Sequence, residues 1–202
     1  MNNPAAGVWV VADGLGGHSH GEVASRMVCD AFTDFPSDST FADAVADARE
    51  RLQRVNDQLV HAASGSIRPI VTGSTVVALM ARESRCAVLW AGDSRAYRWR
   101  NGRLLQMTRD HSVAEDDGTR STAITRAVGG EATLALDQLS DIVHPGDRFL
   151  LCSDGLTRAV VDREIERYLG SDDIQTAVDS LIRAALEAGA PDNVTAVVTE
   201  AF

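Results

Sequence analysis

"TGSTVVALMARESRCAVLWAGDSRAYRWRNGRLLQMT", residues 72–108, is the stretch on which the fold turns. Apolar residues here stop recurring at helical spacing and fall into a period of two, which reads as consecutive β-strands. Breaks at Arg82–Arg85, Gly92–Ser94 and Asn101-Gly102 divide the run. Asn-Gly is a strong hairpin signal, because both of its residues tolerate the positive φ angles of a type I′ turn. Strands joined by such short turns are antiparallel.

The flanks have different periods. N-terminal to the block, "GVWVVAD" (residues 7–13) reads as a buried strand, followed by a helix in which Val23, Met27 and Ala31 share a side. A long amphipathic helix follows. Thr40 is its expected N-cap, Phe41, Val45, Ala48, Leu52, Val55 and Leu59 form its apolar stripe, and Gly65 is its expected stop. C-terminal to the block, residues 110–132 read as a polar loop with a short helix around Thr122–Val128. Two strands then bracket a Pro-Gly-Asp turn, two helices follow, the second capped by Ser171, and "NVTAVVTEAF" closes the chain as a strand. Helices segregated from antiparallel strands predict an α+β layered domain over residues 1–202, not a parallel βαβ sheet.

Composition narrows the function. A chain of 202 residues can bury roughly 70% of its unfolded surface. Its 45% hydrophobic content contains no run long enough to span a membrane. The net charge of −10 argues against nucleic-acid binding. Cys29, Cys86 and Cys152 are odd in number and set in apolar contexts, which predicts free thiols in a reducing cytoplasm.

The informative charges sit at strand ends. Asp13 follows "VWVVA", Asp93 follows "VLWAG", Asp154 follows "FLLCS", and Asp192 precedes the last strand. One Asp-Gly is ordinarily a turn. Four carboxylates at the rim of a core are costly to desolvate without cations, and Arg95 and Arg158 are the nearby candidates for one each. Convergence on a divalent ion is the economical reading. Oxygen donors without a His/Cys set favour Mg²⁺ or Mn²⁺ over Zn²⁺. "DGLGGHSHG" lacks the ending of a nucleotide P-loop, and His18 and His20 have no nearby partner to complete a zinc site.

Five ordered blocks carry a resemblance. "VVADGLGGHSHGEVAS", "TGSTVVAL", "WAGDSRAYRWRNGRLLQMTRDHS", "LLCSDGL" and "PDNVTAVV" are similar to motifs of the metal-dependent Ser/Thr protein phosphatases of type 2C, in particular their bacterial branch. The resemblance implies a four-layer α/β/β/α sandwich with a binuclear Mn²⁺ or Mg²⁺ centre at one end. It implies that Asp13 bridges the ions, Gly14 adds its carbonyl oxygen, and Asp154 and Asp192 complete the first ion's protein ligands. Asp93 would help to hold a third, weaker ion, and Thr72, Gly73 and Ser74 would support the site. A metal-bound hydroxide would attack phosphoserine or phosphothreonine in line.

The implied substrates are phosphorylated proteins, targets of a bacterial Ser/Thr kinase, handled by a cytoplasmic monomer. Some relatives sit in type VI secretion gene clusters, and a sporulation or stress-response phosphatase shares the same core. Three departures from the family pattern stand out. Met1-Asn2-Asn3 leaves no room for opening strands that carry a phosphate-contacting arginine and an acidic segment, so the chain is expected to be a truncated, impaired member. The flap between Asp93 and "SDG" is short, with Ser121 or Thr122 as weak substitutes for Asp93's partners. Leu15 stands where animal relatives place an acid histidine, leaving His18 as a candidate for proton transfer. The competing reading is a pseudophosphatase that binds phosphoproteins without turnover.

Overall fold

A computed structural model describes residues 1–15, 18–64, 72–114, 120–190 and 192–201; the side chains of residues 18, 19, 114 and 120–122 fall outside that description. The chain opens with β1 (Asn2–Asn3), a 3-10 turn (Pro4–Ala6), β2 (Val8–Val11) and β3 (Gly14–Leu15). Helices α1 (His18–Asp30) and α2 (Phe41–Ser64) come next. The block read as strands contains β4 (Gly73–Ser74), β5 (Val76–Arg82), β6 (Arg85–Ala91), β7 (Arg95–Arg100) and β8 (Arg103–Gln106). After β9 (Ser112–Ala114), β10 (Arg120–Ile124), β11 (Asp137–Ile142) and β12 (Arg148–Cys152) come α3 (Asp154–Ala159), α4 (Asp162–Leu169), α5 (Ile174–Glu187) and β13 (Ala196–Glu200).

The larger sheets have strand orders β1-β2-β5-β6-β11 and β13-β12-β7-β8, all antiparallel. Alternation along each strand sorts its residues between layers. Val8 and Val10 of β2 join Ala78, Met80 and Leu89 in a core shared with α1 and α2. Trp9 and Val11 point the other way, meeting Leu79, Val88, Phe149 and Leu151 between the sheets. Tyr97, Leu150 and Cys152 on the outer side of the second sheet pack on Ile165, Leu169 and Leu181. Three apolar interfaces make four layers, helix–sheet–sheet–helix, and the expected α/β/β/α sandwich is the observed one. Truncating a fully buried leucine such as Leu151 to alanine would cost about 2–5 kcal/mol.

The turns follow the sequence closely. Asn101 and Gly102 carry φ of 50° and 79°, joining β7 to β8 as a type I′ hairpin requires. Thr40 caps α2, its Oγ1 accepting from the Asp43 N–H at 3.2 Å; Gly65 lies outside the described residues. All three cysteines are free, with Cys86 and Cys152 buried. Among the described residues no helix is long and apolar enough to cross a membrane.

Four expectations need correction. The buried stripe of α1 is Ala24 and Val28, continued by Phe32; of the expected side, Met27 and Ala31 pack partly buried at its edge while Val23 is 53% exposed. Residues 120–124 form a strand paired with β9, not a helix, because the hairpin satisfies backbone groups that a short polar helix would leave open. The N-cap of α5 is Asp173, which accepts from the Thr176 N–H at 2.8 Å, whereas the Ser171 hydroxyl donates to the Tyr168 carbonyl at 2.6 Å. Finally, "SDGLTRA" leaves β12 directly into α3, a helix the sequence reading missed. Its six residues are too few to show a period.

Candidate metal centre

Strand register brings the four aspartates to one end of the sandwich. β2 runs toward Asp13 with Val11 opposite Val77, near the start of β5. β6 ends at Ala91 opposite Val76, and Asp93 follows in the turn. β12 ends at Cys152, which pairs both with Arg95 at the start of β7 and with Ala196 at the start of β13. Asp154 therefore follows the end of β12 at the same rim where Asp192 precedes β13. The turn at Gly92–Ser94 is also where the chain leaves one sheet for the other. That crossing carries Asp93 across the mouth of the sandwich.

Short contacts lock these segments together. The Asp13 N–H donates to Thr75 Oγ1 at 3.0 Å, and its carbonyl accepts from the Thr75 N–H at 2.8 Å and the Ser74 hydroxyl at 3.0 Å. Thr75 Oγ1 also lies 2.7 Å from the Ser94 hydroxyl, tying the Asp13 strand to the Asp93 turn. On the other side, a Cβ on Gly155 would stand 2.2 Å from the Asn193 carbonyl oxygen, so only glycine lets the Asp154 and Asp192 segments approach this closely. Ser153 reinforces that seam: its Oγ accepts from the Thr195 N–H at 3.0 Å.

The electrostatics are lopsided. Burial, then the charges of Asp154, Asp192 and Asp93, push the Asp13 carboxyl up to about 6. Burial and Asp154 likewise raise Asp93 to about 6. Asp154 is raised by burial and Asp192, against the pull of Arg158. Among the described residues Asp13's carboxylate accepts no hydrogen bond; only neighbouring charges and desolvation act on it. Among the described residues the single cation in direct contact is Arg158, whose Nη2 lies 2.5 Å from Asp154 and 3.9 Å from Asp93. A cleft of about 790 Å³ opens over Asp13, Gly14, Glu22, Asp192, Asn193 and Thr195.

These donors suit a hard divalent ion. They are carboxylates with a glycine carbonyl at hand, held by a rigid frame, and mutually repelling without added positive charge. Among the described residues no three Asp, Glu, His or Cys side chains close around one point as a ready cage.

Not every candidate from the sequence belongs to this site. Arg95 does not pair with a site aspartate; it is buried and grips Asp110 with two contacts of 2.8 and 2.7 Å. Asp110, fifteen residues further on, offers both carboxylate oxygens to the planar guanidinium, and that geometry wins. The side chains of His18, Ser121 and Thr122 lie outside the described residues. Ser74 supports the site as expected, but the principal clasp is Thr75, which the sequence reading passed over. Its place between Ser74 and the apolar run that begins at Val76 offered no signal.

A family model described as Protein phosphatase 2C matches residues 2–198. The chain is 34% identical to the serine/threonine protein phosphatase PstP of Mycobacterium tuberculosis, over 94% of this chain and 39% of that protein. It thus spans well under half of that relative. Among solved structures, PppA, described as a key regulatory component of the T6SS in Pseudomonas aeruginosa, superposes with a TM-score of 0.95 at 41% identity, covering 100% of this chain and 89% of that one. The catalytic domain of PstP in complex with two manganese ions superposes with a TM-score of 0.85 at 33% identity, covering 96% and 86%.

Proposed function

The chain belongs to the protein phosphatase 2C family, and from that premise we propose that it hydrolyses phosphoserine and phosphothreonine in bacterial proteins with the aid of two Mn²⁺ or Mg²⁺ ions. The observation that carries this reading is the rim itself: four strand-end aspartates, three of them with raised pKa, facing one arginine. A phosphate dianion is repelled by such a surface until divalent charge is added.

In this reading Asp13, the Gly14 carbonyl, Asp154 and Asp192 would hold the ions. When bound, the ions supply an activated water and neutralise the phosphoryl oxygens. The chain's own contribution is placement. Thr75 fixes Asp13 from behind. The contact of Gly14 with Gly21, where an added Cβ would fall 2.1 Å from a backbone oxygen, keeps that wall of the cleft free of side chains. Asn193 and Thr195 line the approach for a peptide-borne phosphate.

The finer reading is a cytoplasmic monomer acting against a bacterial Ser/Thr kinase. Likeness to PppA supports a target within control of a secretion system. Retention of Asp13, Asp154 and Asp192 argues against the pseudophosphatase alternative. Hydrolysis of p-nitrophenyl phosphate and of a phosphothreonine peptide tests the proposal: turnover should appear with Mn²⁺ and vanish with EDTA. Tight Mn²⁺ binding with no turnover on either substrate would favour the binding module instead.

A further inference from the structure

Arg158 stands where the third ion was expected. It projects from α3 one helical turn beyond Asp154, so its side chain folds back along that face onto the carboxylate. Its Nη2 lies 2.5 Å from Asp154 and also reaches Asp93, at 3.9 Å. Asp93, the carboxylate expected to help hold a third ion, therefore already shares a covalently attached cation with Asp154.

We propose that the Arg158 guanidinium replaces the third metal ion in this chain, spanning Asp93 and Asp154 so that the centre holds two ions and no more. The inference rests on the metal-centre reading above and deepens it. Charge supports it: two divalent ions and one guanidinium already exceed the formal charge of the four aspartates, so a third ion would enter a site of net positive charge. Geometry supports it as well. One guanidinium nitrogen lies within ion-pair reach of both carboxylates, and arginine cannot lose its charge at any working pH. Asp154 has a second oxygen with which to serve an ion on its other side. Asp93 then acts as a positioning residue, anchoring Arg158 and not a metal.

The test counts ions instead of turnover. Native mass spectrometry and calorimetric titration with Mn²⁺ should find two ions on the wild-type chain, and the count should not change in Asp93→Asn. Arg158→Asp exchanges the cation for a third carboxylate and should add one Mn²⁺, lost again in the Arg158→Asp/Asp93→Asn double variant. Three ions on the wild type, falling to two in Asp93→Asn, would overturn the proposal even if Arg158→Asp failed to fold. So would a folded Arg158→Asp that still binds two. Absence of any Mn²⁺ on the wild type would sink the metal centre itself, and this proposal with it.

Discussion

The two ends of the β-sandwich treat their acids in opposite ways. At the far end, where β12 and β7 meet in reverse order, Asp147 is fully buried and clasped by Arg100 through contacts of 2.5 and 2.6 Å. Arg98 pairs with Asp141 there, and Arg148 meets Glu200 at 2.6 Å. Burial tends to raise Asp147, but its hydrogen bonds from Arg100 and the His144 N–H hold it below the usual carboxylate range. At the near end, Asp13, Asp93 and Asp154 are all raised, and one arginine serves two of them. The same strands bear both sets. One end is neutralised within the chain, which makes it structural; the other is left short of positive charge, which suits it to the cations of the proposed function.

The largest effect should come from Asp13→Asn. Loss of the central carboxylate is expected to cut Mn²⁺-dependent turnover about 10³-fold, the upper range for removing one preorganised electrostatic group. The metal-free variant should melt no lower than wild type, since the side chain removed was repelled by its neighbours. Unchanged kinetics would mean that the near end is not the receptor described here.

Arg100→Ala probes the other end. It strands a buried carboxylate and should cost about 3 kcal/mol. For a domain of this size that lowers the melting temperature by about 6–12 °C. Mn²⁺ affinity by calorimetry should not move; a weakened affinity would show that the two ends are coupled. Slightly smaller is the effect of Mn²⁺ itself. At one hundred times its Kd it should stabilise the wild-type chain by about 2.7 kcal/mol, read as a rise of about 5–10 °C that EDTA reverses. No thermal shift would count against ion binding to the folded state.

The smallest effect is one of sign with pH. Asp13 and Asp93 titrate near 6 in the folded, metal-free chain against 3.8 ordinarily, so the folded state binds more protons in that window. Their contribution therefore makes the chain less stable as pH rises from 3.8 toward about 6, and is constant above. Asp147, held low, acts in the reverse sense: its contribution is present above 3.8 and lost as pH falls through its folded value. In EDTA, Asp13→Asn should raise the unfolding free energy from urea titration at pH 7 more than at pH 5, by about 1 kcal/mol once solvent screening of the partly buried carboxylate is allowed for. An equal gain at both values would show that the charge of Asp13 is not what destabilises the metal-free chain.

Much of this was legible in residues alone. Strands and their turns showed because side-chain alternation and the Asn101-Gly102 pair report local backbone preference directly. The aspartates stood out because acids rarely abut apolar runs. Less legible were contacts between segments distant in sequence. Val23 and Ala24 offer α1 adjacent stripes of similar character, and packing chose the second. Arg95 and Arg158 both lie within one helical turn's length of a site aspartate in sequence, yet one was claimed by Asp110 and the other by Asp154. Thr75 looked like any β-branched strand residue until its hydroxyl was found between Asp13 and Ser94.

Sequence by itself determined the element types outside residues 120–124 and α3, the antiparallel strand block, the oxygen-only donor set and the position of each aspartate at a strand terminus. Tertiary structure alone decided that β6 and β7 part company at Gly92–Ser94 and enter different sheets, and hence that these termini share one rim. The physical reason lies in the burial of both sheet faces. Where every residue from Val76 to Met80 is covered, alternation no longer distinguishes one layer from the next. Only long-range register, closed by contacts such as Gly155 against Asn193, tells which strand ends meet.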